Sequence, residues 1–185
     1  MKPQPRACAL PAALTRRRLL LHGARCGLAA AGLVTGAARA DTLTVGQPAP
    51  IAVLHTLDGL TLSTANMRGE VVILTFWATW CDPCRDELPL LSHYAAAHAA
   101  QGLRVLGFCL DGPDRLAQVR AVAETLAFPV GLLPSPWFGA YGRIWRIPVS
   151  FVIDRAGRLA NNGWNDPHPA WTTERLQRVV GPLLG

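Results

Sequence analysis

Seven consecutive residues, Val71-Val72-Ile73-Leu74-Thr75-Phe76-Trp77, run almost without a polar side chain into Ala78-Thr79-Trp80-Cys81-Asp82-Pro83-Cys84. A half-buried strand would alternate apolar and polar residues, so a near-continuous apolar run fits a strand covered on both faces. Such a strand needs layers on either side of its sheet, which points to an α/β architecture. Pro83 suits the first turn of a helix, where its missing N–H forfeits no helical bond. The strand thus delivers two cysteines, separated by two residues, onto a helix start. The free N–H groups and partial positive charge there stabilise a thiolate on Cys81, and Cys84, one turn in, is placed to resolve. A Cys81–Cys84 pair in this setting is built for dithiol–disulfide exchange.

The pattern along the rest of the chain is consistent with that layout. Ile51–Thr56, Asp58-Gly59 and Leu60–Leu62 form a β-hairpin signal. The helix after Cys81 should run to about Ala100, bend at Pro89 and stop at Gly102. Arg104–Leu110 is the next buried strand, and Asp111-Gly112-Pro113 opens a helix through about Ala127. Pro129–Leu133, Val149–Asp154 and Arg158–Asn161 are further strands, and one closing helix spans Trp171–Leu184. The order predicts a mixed central sheet with helices on both faces, preceded by an added N-terminal β-hairpin.

The formal net charge of +6 invites a nucleic-acid or membrane reading, but its distribution removes it. Residues 1–40 hold seven basic side chains and no acid; the remainder holds 11 Arg, no Lys and 12 acids, a net of −1. The basic segment contains Thr15-Arg16-Arg17-Arg18-Leu19-Leu20, a twin-arginine pattern, and ends in Ala38-Arg39-Ala40. This is the signature of an export signal cleaved after Ala40, leaving a 41–185 domain in the periplasm. The leader's apolar stretch, broken by His22 and Arg25, falls short of the roughly 20 residues a spanning helix needs. The mature chain then holds Cys81, Cys84 and Cys109, too few for a disulfide-stapled scaffold.

Each candidate has a plainer alternative. The cysteine pair could be half of a structural zinc site, but no second C-x-x-C or suitably placed His pair completes one, and nothing calls for a metal or cofactor. Glu87, three residues past Cys84, could take the proton from that thiol; equally, Asp82, Asp86 and Glu87 could simply complement the helix dipole. Pro148 opens a strand and could be trans or cis. Cys109 is a small core residue or a reactive thiol. Trp137, Trp145, Trp164 and Trp171 are a partner-facing surface or packing.

With these residues in place the chain resembles the TlpA/ResA-like periplasmic thiol–disulfide reductases of the thioredoxin-like family, from residue 46 to about 184. The resemblance rests on Gly46-Gln47-Pro48-Ala49-Pro50, Asp58-Gly59, Phe76-Trp77-Ala78-Thr79-Trp80-Cys81-Asp82-Pro83-Cys84-Arg85, Glu87, Pro89, and Ile147-Pro148-Val149-Ser150-Phe151-Val152-Ile153-Asp154. It implies a thioredoxin-like fold, a cis Pro148 facing the dithiol, and an acidic Glu87 that tunes the thiols. It also implies a substrate-binding surface made by Trp80, Asp82, Pro83, Ile147 and Pro148. The implied activity is reduction of partner-protein disulfides in cytochrome c maturation or copper-site assembly, with re-reduction by a membrane electron donor and a monomeric mature chain. The sequence departs from the family pattern at Thr75, at Arg146-Ile147 and at Trp145, all beside the expected substrate groove. Three rival readings are a thiol peroxidase (Phe76-x-x-Thr79-x-x-Cys84 resembles a peroxidatic motif), a net dithiol oxidase, and a non-enzymatic Cu(I)-binding chaperone using Cys81 and Cys84.

Overall fold

The computed structural model describes residues 43–185. The export signal and its cleavage point fall outside the described residues. The apolar run forms β3 (Val71–Trp77), buried at every position as its composition requires. Two short strands precede it, β1 (Val53–His55) and β2 (Thr61–Ser63), paired antiparallel as a separate hairpin. Asp58-Gly59 sits in its turn, where Gly59 takes a φ of 89° that a side chain would resist.

After β3 come α1 (Asp82–His98), β4 (Leu103–Cys109), α2 (Leu116–Ala123), β5 (Val130–Leu132), β6 (Val149–Ile153), β7 (Leu159–Asn161), α3 (Thr173–Val179) and α4 (Gly181–Leu184). The five-stranded sheet has the order β5-β4-β3-β6-β7. The pairs β3–β4 and β4–β5 are parallel, while β3–β6 and β6–β7 are antiparallel. This is the mixed sheet of a thioredoxin-like fold.

Side chains alternate across β3. Val71, Ile73 and Trp77 join one core with Leu88 and Leu91 of α1, Val119 of α2, Leu176 of α3 and Leu184 of α4. Val72, Leu74 and Phe76 join another with Leu54 of β1, Phe108, Phe151 and Tyr141. The four helices therefore supply the first core, and the opposite face is covered by the hairpin and an aromatic segment, where the sequence pattern leads one to expect helices. Chain handedness gives the reason. Both parallel crossovers step the same way along the sheet, and right-handed connections place α1 and α2 on the same side. Phe138, with ring centroids 5.1 Å from Phe76 and 4.6 Å from Phe108, does on the other side what a helix would have done. Gly131 lets the hairpin dock, since a Cβ there would stand 2.0 Å from the His55 carbonyl oxygen.

Two helices are shorter than their sequence patterns suggest. A 3₁₀ turn (Pro113–Arg115) precedes α2, which stops at Ala123. Pro129 disfavours a helical Phe128, and the Ala127 N–H turns to the Ser92 hydroxyl of α1 at 2.8 Å. The closing helix breaks into α3 and α4 at Val180-Gly181-Pro182, because proline lacks the donor and crowds the preceding turn. Helix α1 runs through Pro89 and ends in a 3₁₀ turn capped by Gly102 at φ 81°.

Candidate active site

The C-terminal end of β3 hands the chain to α1 through Cys81, the N-cap residue, held extended at φ −95°, ψ 99°. Its carbonyl accepts the Cys84 and Arg85 N–H groups at 3.1 Å each, and its Sγ accepts the Cys84 N–H at 3.3 Å. Sulfur thus occupies the place where a serine or aspartate oxygen usually meets the otherwise unpaired N–H groups of a first turn. Cys81 and Cys84 are joined in a disulfide, S–S 2.02 Å. Cys81 is 6% exposed and Cys84 fully buried, so Cys81 is the outward sulfur of the pair.

Glu87 follows one turn along α1 and is only 3% exposed. Its Oε2 accepts the Trp171 backbone N–H at 2.7 Å, while Oε1 is buried without a hydrogen-bond partner. Burial pushes this carboxyl up to about 7, against the Trp171 N–H and the Arg175 charge, which both pull it down. Near neutral pH the group is therefore able both to hold and to give up a proton. Asp82 and Asp86 are exposed, and Asp82, in the first turn and paired with Arg85, is the acid placed to complement the helix terminus.

Three groups support the site in ways that the sequence reading did not assign. Asp111, with its side chain fully buried, accepts the Thr79 N–H at 2.6 Å and the Thr79 hydroxyl at 2.8 Å. It thereby ties the turn before Cys81 to the end of β4. Cys109 donates its thiol to the same carboxylate at 3.1 Å and is held well above the usual thiol range, chiefly by burial. It is a core residue, the plainer of its two readings. Trp171 and Arg175, which approach Glu87 from the closing segment, are the other two. The one signal that could have flagged Asp111 is an acid at the end of a buried strand that neighbours the cysteine-bearing strand.

The expected substrate-binding residues differ in depth. Trp80, Asp82 and Pro83 are exposed, Ile147 packs against the core that contains both cysteines, and Pro148 is buried behind a cis Ile147–Pro148 bond. The four later tryptophans differ in burial. Trp137 and Trp145 are exposed, whereas Trp171 is buried with Nε1 donating to Ser150 Oγ at 3.0 Å. Trp164 stacks under Trp145, ring centroids 5.7 Å apart. Arg146 lies beside both rings and donates from Nη2 to the carbonyls of Gly163, Trp164 and Asp166. The departures at Trp145 and Arg146 thus brace the segment that leads to Trp171. Among the described residues no cluster of His, Cys, Asp and Glu could hold a metal ion, and no helix is long and apolar enough to cross a membrane.

Comparison with known proteins agrees with this geometry. The chain is 28% identical over 120 residues to the thiol-disulfide oxidoreductase ResA of Bacillus thuringiensis, covering 64% of this chain and 69% of that one. It is 35% identical over 115 residues to the thioredoxin-like protein YneN of Bacillus subtilis, covering 60% and 66% respectively. A solved thiol:disulfide interchange protein of the thioredoxin family from Chlorobium tepidum superposes with a TM-score of 0.63 at 28% identity, over 75% of this chain and 97% of that one. Residues 45–161 match the AhpC/TSA family, which is more than half of the chain. A dithiol at a strand-to-helix junction, a thioredoxin-like sheet and ResA-type relatives lead to one assignment: the chain belongs to the AhpC/TSA family and is a thiol–disulfide oxidoreductase of the ResA type.

Proposed function

We propose that the protein is exported and reduces disulfides of partner proteins in the periplasm, with residues 1–40 removed after Ala40. In the reduced enzyme the Cys81 thiolate attacks one sulfur of the partner disulfide. A mixed disulfide forms and the partner's other sulfur leaves as a thiolate. Glu87 takes the proton from Cys84, whose thiolate attacks the Cys81 sulfur. This closes the Cys81–Cys84 disulfide and releases the second partner sulfur, so two electrons have passed to the partner. Trp80, Asp82, Pro83, Ile147 and Pro148 form the surface against which the partner chain lies. A dithiol donor in the membrane restores the enzyme, because the periplasm is kept oxidising. Partners of the cytochrome c maturation or copper-site assembly type fit, and the mature chain acts as a monomer without binding nucleic acid.

The observation that carries this reading is the buried Glu87 poised near neutrality one turn beyond Cys84. A carboxylate there disfavours the dithiolate and so favours a donor over an oxidant. Equilibrating the protein in thiol–disulfide buffers, with the Cys81–Cys84 couple followed by alkylation and peptide mass, tests it. A midpoint at or below about −250 mV supports the reductase, and one above about −150 mV makes it an oxidant. Consumption of peroxide, or stoichiometric Cu(I) binding without disulfide turnover, would replace the reading with a peroxidase or a copper chaperone.

A further inference from the structure

Arg175 is an anomaly in the closing segment. It lies on α3 and is only 4% exposed. A guanidinium is costly to bury, and an apolar side chain of similar volume often stabilises as well or better. Its surroundings are nonetheless arranged around it. Its Nη2 lies 2.8 Å from Asp166 Oδ2, its Nη1 donates to the Pro169 carbonyl, and its guanidinium carbon sits 4.0 Å from the centroid of the Trp171 ring.

Trp171 is in turn fixed at both ends. Its indole N–H is donated to Ser150 on β6, and its backbone N–H to Glu87 Oε2. The N–H is free for this purpose because Trp171 precedes α3, whose N-cap is Thr172. Glu87 Oε1 and Arg175 Nε are both buried without hydrogen-bond partners. Glu87 and Arg175 thus converge on Trp171, one through its backbone N–H and the other through its ring face.

We infer that Arg175, held by Asp166 and stacked on Trp171, is a positioning residue that poises Glu87 for proton exchange with Cys84. This rests on the proposed role of Glu87 and extends it. Glu87 is met by the Trp171 backbone N–H from the closing segment and feels the Arg175 charge from α3, while Cys84 precedes it by one turn on its own helix and Ser150 of β6 holds the Trp171 indole. Asp166 stands behind Arg175 and offsets its charge. Arg146, beside the cis proline, donates to the Asp166 carbonyl and so braces the same segment. The charge pair therefore has a graded effect: Arg175 favours the Glu87 carboxylate, and Asp166 weakens that influence.

The two members of the pair consequently predict opposite signs, which a merely structural role would not produce. The oxidised full-length protein, labelled with δ-¹³C glutamate, contains four glutamates, Glu70, Glu87, Glu124 and Glu174. Its carboxyl resonances are followed by NMR against pH, with Glu87→Gln identifying the Glu87 signal. Arg175→Met should raise the Glu87 midpoint by roughly one pH unit. Asp166→Asn should lower it, and Arg175→Lys should return it close to wild type. The inference is overturned if Arg175→Met and Asp166→Asn move the midpoint in the same direction, or if neither moves it. Should Arg175→Met not fold, Asp166→Asn alone decides by its sign. The pH profile of disulfide exchange separates the two levels. If Glu87→Gln leaves that profile unchanged, the proposed role of Glu87 falls, and the poising role of Arg175 falls with it. If Glu87→Gln alters the profile but the Arg175 and Asp166 variants do not move the titration, only the Arg175 inference falls.

Discussion

Asp111→Ala should cost about 3 kcal/mol of stability, and the structure shows where that figure comes from. The Asp111 side chain is fully buried and accepts three donors: the Thr79 N–H, the Thr79 hydroxyl and the Cys109 thiol. Arg115, half exposed, is 3.9 Å away and adds little across that distance. Truncation leaves the Thr79 N–H unpaired inside a turn, worth about 1–3 kcal/mol, because an abandoned donor bears its full desolvation cost. The Thr79 hydroxyl belongs to a half-buried residue and can turn to water, and a thiol is a weak donor. Against these losses stands the relief of no longer burying a carboxylate, which keeps the total near the lower end of the 3–5 kcal/mol typical of breaking a buried charged network. For a domain of this size about 3 kcal/mol lowers Tm by roughly 6–12 °C. Urea unfolding of the oxidised protein measures the loss, and Thr79→Val alone and combined with Asp111→Ala completes a double-mutant cycle. A loss under about 1 kcal/mol would refute the idea that this carboxylate anchors the redox turn, and the cycle isolates the hydroxyl's share of it.

Other outcomes follow from the same structure. Glu87 has a folded-state value of about 7, above its ordinary 4.5, so the native state binds its proton more tightly than the unfolded chain does. Stability from this group is fully present below about pH 4.5 and is lost as pH rises through 7; relative to Glu87→Gln, the wild type should lose about 3 kcal/mol across that window, and parallel pH-stability curves would contradict it. Gly131→Ala would drive a Cβ to 2.0 Å from the His55 carbonyl oxygen, so the hairpin must shift off β5. A loss of about 2 kcal/mol or more in urea is expected, and an unchanged midpoint would show that the hairpin contributes nothing at that contact. Cys109, buried and raised well above the usual thiol range, should resist iodoacetamide in the native protein while Cys81 reacts after reduction. Comparable alkylation rates at the two sites would mean that this end of β4 opens readily.

Much of this molecule is legible locally. The apolar continuity of Val71–Trp77 determined a two-sided buried strand, and the spacing of Cys81 and Cys84 with Pro83 between them determined a dithiol on a helix start. Asp58-Gly59 and Gly102 marked turns because left-handed backbone is a local property. Tertiary structure decided what depends on groups far apart in the chain. The Glu87 carboxyl is pushed up to about 7 because other elements bury it, even though a backbone N–H from 84 residues away meets it and pulls it down. Asp111 reaches Thr79 across 32 residues because β3 and β4 pair in parallel and end side by side. The tryptophans separated into exposed Trp137 and Trp145 and buried Trp171 only when the loop before β6 and the closing segment had packed. The helix predicted over Trp171–Leu184 instead begins at Thr173, and what partners the Trp171 N–H ahead of it, Glu87 of α1, comes from tertiary packing. Periodicity and spacing record which face a residue takes on its own element; desolvation and hydrogen-bond partnership are set by the other elements packed against it, and the chemistry of this site depends on both.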